Sequence, residues 1–156
     1  MTNTKPSDNA LADLADLVLN VAREIRLQVD ESADVISLTP SEGNVMRFVD
    51  RSPGTSANGV ATGTGLRRPN LSAALRGLEA KGLIRREPNQ DDRREVRVFP
   101  TDRAALNLLR LREIWAERLQ PALEQDAADV NSSIALLARL ESHLIAGRSR
   151  AAGPHD

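Results

Sequence analysis

The chain contains no cysteine and no tyrosine, and its only aromatic residues are Phe48, Phe99 and Trp115. Without thiols it has no disulfide framework, no thiolate metal site and no cysteine redox switch. Scarce aromatics, with abundant Leu, Ala and Val, favour helices over a β-sandwich. His143 and His155 are the only histidines, and no carboxylate pair stands out from the general charge. We therefore expect no catalytic residue, no metal, no cofactor and no enzyme activity.

Long apolar runs are also missing, since none approaches the roughly 20 residues that cross a bilayer. The opening MTNTKPSDNA lacks the basic-then-apolar order of a signal peptide, so we expect a cytoplasmic protein. The length of 156 residues suits one domain with a real core. Residues 1–9 are polar and predicted to be disordered.

Charge is unevenly distributed along the chain, although its net value is only −1. Between Arg67 and Arg97 there are nine basic and five acidic residues, so this stretch carries +4 and the remainder −5. A basic stretch in a mildly acidic chain is typical of a nucleic-acid-binding surface. An ordinary solvated charged surface would give the same count.

The basic stretch combines a helix with a hairpin. Residues 83–87 and 95–99 predict two short strands, and the polar residues 88–94 between them predict an exposed tip. Residues 68–81 predict the preceding helix, which Pro69 can begin and Gly82 can follow in the left-handed conformation. The inward-facing stripe of this helix comprises Leu71, Ala74, Leu75 and Leu78. A helix followed by a basic hairpin is the layout of a winged helix-turn-helix.

The outer face of the predicted helix carries small or hydrogen-bonding residues between arginines. A face designed only for solubility would carry Glu and Lys, whereas small residues allow a close approach to another molecule. Arg, Asn and Ser side chains also suit base edges and phosphates in a major groove. The candidate DNA-contacting residues here are Arg67, Arg68, Asn70, Ser72, Ala73 and Arg76.

Further helices are predicted on both sides. Residues 11–29 have helical apolar spacing, with Asp8 or Asn9 as the cap. The sequence 39-TPSE-42 is a capping box that begins a second helix, and residues 56–63 predict a short, weak one containing two glycines. After Thr101, a long helix should reach residue 119 and end or kink at Pro121. A last helix should cover residues 132–146, followed by a frayed tail.

Three motifs resemble the MarR family of bacterial transcriptional regulators: LTPSEGNVMRFV at 38–49, GLRRPNLSAALRGLEAKGLIRR at 65–86, and DDRREVRV at 91–98 with Thr101. The resemblance implies a mainly α fold with a small β-hairpin wing. A winged helix-turn-helix at residues 33–101 would be flanked by dimerisation helices at 10–32 and 102–146, with a flexible tail at 147–156. It also implies a homodimer that binds a pseudo-palindromic operator in double-stranded DNA, as a repressor.

The same resemblance assigns roles to residues. The helix at 68–81 would enter the major groove, and either Arg93 or Arg94 at the wing tip would enter the minor groove. Asp92 would brace these two arginines by a charge-assisted hydrogen bond. The residues expected at the dimer interface are Leu11, Leu14, Val18, Val21, Leu106, Leu109, Trp115, Leu137, Leu140 and Leu144.

Two alternatives stay open at this point. Many relatives bind small aromatic or anionic ligands, and Arg23, Arg26 and Trp115 lie on helices that would line such a site, although dimer packing and surface charge explain these residues more simply.

The second alternative concerns function. The chain departs from the family by having Gly59 and Val60 where Glu and Leu are usual, and Thr64 in place of a buried Leu. Pro100 and Ala104 are further departures. A protein that keeps the fold but acts through protein contacts is therefore the alternative function.

The wing generates a prediction. Replacing Arg93→Ala together with Arg94→Ala should leave the fold and the dimer intact, because a polar tip has no core to fill. DNA affinity should fall by at least about tenfold, which is ~1.4 kcal/mol. The salt dependence should flatten, because fewer counterions are released. Asp92→Ala should cost less, because it frees the arginines without removing their charge.

Binding titrations at several salt concentrations, with circular dichroism as the folding control, measure these effects. A folded double variant with unchanged affinity and unchanged salt slope would show that the wing does not contact DNA.

Overall fold

The computed structural model describes residues 6–30, 35–89, 95–123 and 127–151. The chain forms two compact units that divide between Ser37 and Leu38. The prediction of a mainly helical chain with a small β-hairpin is confirmed. Within the described part of the chain, no helix is long and apolar enough to cross a membrane.

The first unit is built on one helix, α1 (Asp8–Asp30). Its cap is Ser7, whose hydroxyl accepts a hydrogen bond from the Ala10 amide at 3.2 Å. The expected cap at Asp8 or Asn9 is therefore wrong by one or two residues, and both lie in the first turn instead. Several apolar side chains of α1 are exposed, namely Leu11, Leu17, Val18, Leu19, Val21 and Leu27.

The second unit begins with α2 (Pro40–Arg51), whose predicted capping box between Thr39 and Glu42 is present in both directions. A two-residue strand, β1 (Thr55–Ser56), comes next and was not predicted. It precedes the short helix α3 (Ala57–Thr64), which Ser56 caps by accepting from the Gly59 amide. Two residues are too few for an alternating pattern, so the sequence carried no signal for β1.

The helix predicted at residues 68–81 is α4 (Arg68–Ala80), and its four inward residues are buried as expected. Gly82 takes the left-handed conformation at φ 69°, and the Leu83 amide bonds back to the Leu78 carbonyl. The hairpin strands are β2 (Ile84–Pro88) and β3 (Val96–Pro100), one residue later than predicted. Both strands pair antiparallel, with Arg86 opposite Val98, and the sheet order is β1-β3-β2.

Two long helices complete the unit. Thr101 caps α5 (Asp102–Leu123), which runs two residues past Pro121 and four past the predicted end. The last helix, α6 (Ala127–Ala151), begins five residues before its predicted start and ends five residues after its predicted end. The residues expected to start a flexible tail at 147 are therefore helical as far as Ala151.

The hydrophobic core of the second unit lies among α2, α3, α4 and the sheet. It is completed by one residue of α5, Ala104. The fully buried side chains are Val45, Val49, Val60, Leu78, Leu83 and Val98. The long apolar side chains of α5 and α6 contribute little to this core, since Leu106, Leu109, Leu137, Leu140 and Leu144 are exposed. The winged-helix region therefore folds around its own core.

The glycines of α3 are explained by packing. A Cβ built on Gly63 would fall within the Phe48 ring of α2, and one on Gly59 would lie 2.6 Å from the Thr55 Oγ1. Glycine thus lets the backbone of α3 approach its neighbours where a side chain would collide. Thr64, the other departure in this segment, is buried with its hydroxyl donating to the Val60 carbonyl at 2.7 Å.

This packing predicts that Gly63→Ala destabilises the fold, because either the Phe48 ring or α3 must move. We expect a loss of about 1–3 kcal/mol in the free energy of unfolding. Gly43→Ala in α2 is the matched control, since its Cβ would lie an ordinary 3.5 Å from the Arg47 Nη1. That change should stabilise the helix by up to about 1 kcal/mol. Urea denaturation measures both, and an equal response of the two variants would contradict the packing argument.

Candidate nucleic-acid interface

The outer face of α4 is the first part of the candidate interface. Arg68, Ser72 and Arg76 recur every four residues and so share a face, and all three are exposed. Asn70 and Ala73 are exposed beside them, and Arg67 precedes the helix. The six candidate DNA-contacting residues from the sequence are thus all accessible, while the opposite face of α4 is buried in the core.

Ion pairing divides the basic residues into two groups. On the hairpin, Arg85 pairs with Glu87 at 2.6 Å and Arg86 with Glu79 at 3.2 Å. Arg97 likewise pairs with Glu95 at 3.4 Å. By contrast, none of the arginines at positions 67, 68 and 76 has a carboxylate partner among the described residues. Among the described residues of this region, the positive charge without a carboxylate partner therefore lies on α4 and on Arg67 just before it.

A buried carboxylate joins α4 to α2. Glu42 is 5% exposed, and its Oε2 accepts from the Lys81 Nζ at 2.7 Å and from the Thr39 amide at 2.8 Å. Lys81 immediately follows α4. A Cβ on Gly77 would collide with the Glu42 Oε1, so glycine at this position gives the carboxylate its space. Close packing of α4 against α2 therefore explains why residue 77 is glycine.

The pKa of Glu42 reflects two opposing effects. Burial raises the pKa of Glu42 by desolvation. The hydrogen bonds from the Lys81 side chain and the Thr39 backbone, together with the attraction of the Lys81 charge, lower the pKa by more than burial raises it. The net result is a pKa below the ordinary value for glutamate. The carboxylate is therefore ionised at neutral pH and holds the two helices together.

The turn between the end of α4 and the first strand of the wing is held by Thr101. The Thr101 hydroxyl donates to the Gly82 carbonyl at 2.7 Å, and the Thr101 amide donates to the Leu83 carbonyl at 3.1 Å. These bonds tie the start of α5 to the turn between α4 and β2. The last described pair of the hairpin is Asn89 and Glu95, joined through backbone and side chains.

The predicted wing-tip residues Asp92, Arg93 and Arg94 lie outside the described residues. The base of the wing is anchored to the body of the unit. The Arg97 guanidinium donates to the Gly54 carbonyl at 3.0 Å, and the Arg85 guanidinium lies 4.8 Å from the centre of the Phe99 ring.

Two contacts at the end of α3 were missed by sequence reasoning. The Asn44 amide of α2 donates to the Thr64 carbonyl at 3.3 Å, and the Arg148 guanidinium of α6 donates to the Gly63 carbonyl at 2.8 Å. No local pattern relates residues 20 and 85 positions apart, so only the fold reveals these contacts. Gly65 follows α3 in the left-handed conformation at φ 69°.

The residues expected at a dimer interface leave much apolar surface uncovered. Leu14 and Trp115 are half-buried, and the remaining eight are exposed, with Leu144 at 70%. Most of the exposed Leu, Val and Ile side chains among the described residues lie on α1, α5 and α6.

The candidate ligand residues differ in their surroundings. Arg23 is exposed and pairs with the neighbouring Glu24 at 2.8 Å, and Arg26 is also exposed on α1. Trp115 on α5 is half-buried, and its Nε1 is buried without a hydrogen-bond partner in the part of the chain that the structure describes. No group of three histidine or acidic side chains among the described residues is arranged to hold a metal ion.

Residues 36–95 match the model of the MarR family. This segment contains α2, α3, α4 and the first strand of the wing, so it includes the whole helix-turn-helix. The resemblance inferred from the three sequence motifs is confirmed for this segment, which is similar to the MarR family.

Solved structures extend the similarity to the flanking helices. The transcriptional repressor CouR, solved on a 23-mer DNA duplex, is 29% identical with a TM-score of 0.63, over 90% of this chain and 99% of that one. S. aureus MepR in a DNA complex is 23% identical with a TM-score of 0.57, over 78% and 98%. Streptomyces coelicolor PcaV, solved with its natural ligand, is 21% identical with a TM-score of 0.59, over 90% and 98%.

Together these findings show that the chain is similar in fold to solved MarR-type transcriptional regulators. Several of the solved structures that it matches are named as transcriptional regulators or repressors.

The pair of Glu42 and Lys81 gives a prediction about stability. Because the Glu42 pKa is lowered in the folded chain, its contribution is present above the unfolded pKa and is lost as the pH falls through the folded one. Glu42→Gln should lower the free energy of unfolding by about 1–3 kcal/mol at neutral pH. The difference from the wild type should shrink as the pH falls below roughly 4.

Chemical denaturation across this pH range measures the effect. Glu113→Gln, which changes an exposed carboxylate of α5, is the control and should leave stability nearly unchanged. A deficit for Glu42→Gln that stays constant down to acidic pH would contradict the assignment.

Proposed function

We propose that the protein is a homodimeric transcriptional repressor that reads a pseudo-palindromic operator with α4. The observation that carries this proposal is the outer face of α4, where Arg68 and Arg76, with Arg67 just before the helix, have no carboxylate partner in the described part of the chain and flank small polar side chains. Arginine can donate two hydrogen bonds to guanine, and asparagine can do the same with adenine. Small residues between them let the helix backbone approach the floor of the groove.

The alternative, a protein that acts through protein contacts alone, depended on the unusual glycines of the short helix. Packing against Phe48 and Thr55 accounts for Gly63 and Gly59 without any loss of the helix-turn-helix. A face adapted to another protein would also be expected to show apolar anchors, and α4 exposes none. These two observations favour DNA reading.

A homodimer is proposed from the apolar surface of α1, α5 and α6. Exposed leucines, valines and isoleucines on long helices are unfavourable in water unless another surface covers them. A stable interface of this type buries more than about 2,000 Å². A dimer would present two copies of α4 with their centres about one helical turn of DNA apart, ~34 Å. Light scattering tests this assembly, since a monomer would give 17.0 kDa.

The wing completes the proposed contact. Its base is fixed to the body by Arg97 and Thr101, so the tip would be held at a defined distance from α4. We assign minor-groove contact to Arg93 or Arg94 at that tip, with Asp92 as their brace. A narrow minor groove favours an inserted arginine, because its negative potential is deepest.

Relief by a small ligand is the last element of the proposal. PcaV was solved with its natural ligand, and this chain offers Trp115, whose buried indole N–H lacks a protein partner among the described residues. Arg23 and Arg26 are the cationic candidates for an anionic ligand. Quenching of the fluorescence of Trp115, the only tryptophan, tests binding directly, and compounds that leave it unchanged would not occupy this site.

The proposed function predicts the behaviour of α4 variants. A duplex selected from a random library by the wild-type protein serves as the operator. Asn70→Ala and Arg76→Ala should each lower the preference for that duplex over random DNA by about 1–3 kcal/mol per lost base contact. Arg112→Ala on α5 removes the same charge from an exposed site and is the control.

Competition titrations with selected and random duplexes decide the outcome. Equal weakening on both duplexes would mean that these side chains touch only phosphate. Failure of the wild type to enrich any sequence would favour the alternative function instead.

A further inference from the structure

The end of α3 is held by a residue from the far end of the chain. The last four carbonyls of a helix have no partner within it. Arg148 donates to one of them, the Gly63 carbonyl, from 85 residues further along. A cation at this end of a helix is also favoured by the helix dipole. Arg148 thus caps α3 from α6.

The side chain of Arg148 also occupies the turn itself. A Cβ on Gly65 would lie 2.8 Å from both the Cδ and the Nε of Arg148, so with a side chain at residue 65 the arginine would have to shift from this position. The turn leads through Arg67 into α4, and Arg67 provides no side-chain cap for that helix. The start of α4 is therefore positioned by the turn, and Arg148 lies against the turn.

Among the described residues, an ion pair also links α6 to the helix-turn-helix region. The Arg51 Nη1 and the Glu141 Oε2 are 3.9 Å apart, and both side chains are exposed. A surface pair of this kind contributes little. Arg148 is therefore the stronger connection between the two parts, because its bond is short and reaches a backbone group that needs a partner.

We propose that Arg148 is a positioning residue for DNA reading: its bond to Gly63 fixes the turn and with it the direction in which α4 leaves α3. This inference rests on the proposed function of α4 in reading DNA. It gives α6 a second role beside the proposed dimer contact, because a shift of α6 would move Arg148 and the turn, and with them the DNA-reading helix α4. An arginine at this place could instead bind phosphate itself, and the salt dependence separates the two roles.

The test compares Arg148→Gln and Arg148→Lys with Arg139→Gln, which removes the same charge from an exposed site on α6. Circular dichroism checks that each variant folds. The probes are the duplex selected by the wild type and a random duplex of equal length. Arg148→Gln should lower affinity for the selected duplex by about threefold to tenfold. It should leave affinity for random DNA and the salt slope unchanged, and Arg148→Lys should recover part of the loss.

A second readout uses the free protein. Amide hydrogen exchange at residues 65–68 should be faster in Arg148→Gln than in the wild type, and Arg139→Gln should match the wild type. If the wild type selects no duplex, the proposed function fails, but the exchange data still decide whether Arg148 fixes the turn.

Two results would overturn the proposal. Equal weakening on both duplexes, with the salt slope reduced by about 0.9, would identify a direct phosphate contact. Unchanged exchange at the turn would show that Arg148 positions nothing.

Discussion

The placement of α4 depends on a buried carboxylate. Glu42 lies at the start of α2, and its oxygens are occupied by the Lys81 ammonium and the Thr39 amide. Removing a charge from water is costly unless its partners are close and well oriented, and here both bonds are short. One side chain thus caps its own helix and fixes the end of another. The apolar core holds α4 against the unit, while this contact defines where along α2 it lies.

Much of the winged helix could be predicted from local pattern. The apolar stripe of α4, the left-handed Gly82 and the capping box at Thr39 each depend on residues a few positions apart. Helix ends were less predictable. Pro121 lies inside α5, although proline removes one backbone hydrogen bond and crowds the preceding turn, and the helix extends two residues beyond it.

Contacts between distant residues could not be predicted. Nothing near Gly63 in the sequence indicates that Phe48 lies against it, so the glycines of α3 read as weak helix formers when they are close-approach sites. Arg148 was assigned to a flexible tail for the same reason, because its partner lies 85 residues away. The charge count identified a basic region, but only side-chain geometry showed which arginines are neutralised. The sequence therefore predicts an exposed candidate interface on α4, whereas the contacts that support this helix become visible only in the fold.

The sheet has a further consequence, for the behaviour of the protein at high concentration. With strand order β1-β3-β2, the longer of its two edges is β2. Unpaired edge strands invite pairing with another chain and are a common start of aggregation. The exposed positions of β2 carry Arg85, Arg86 and Glu87, and the strand ends at Pro88, which cannot donate a backbone hydrogen bond. The charged residues and the terminal proline of β2 therefore make the open edge of the sheet a poor template for a second copy.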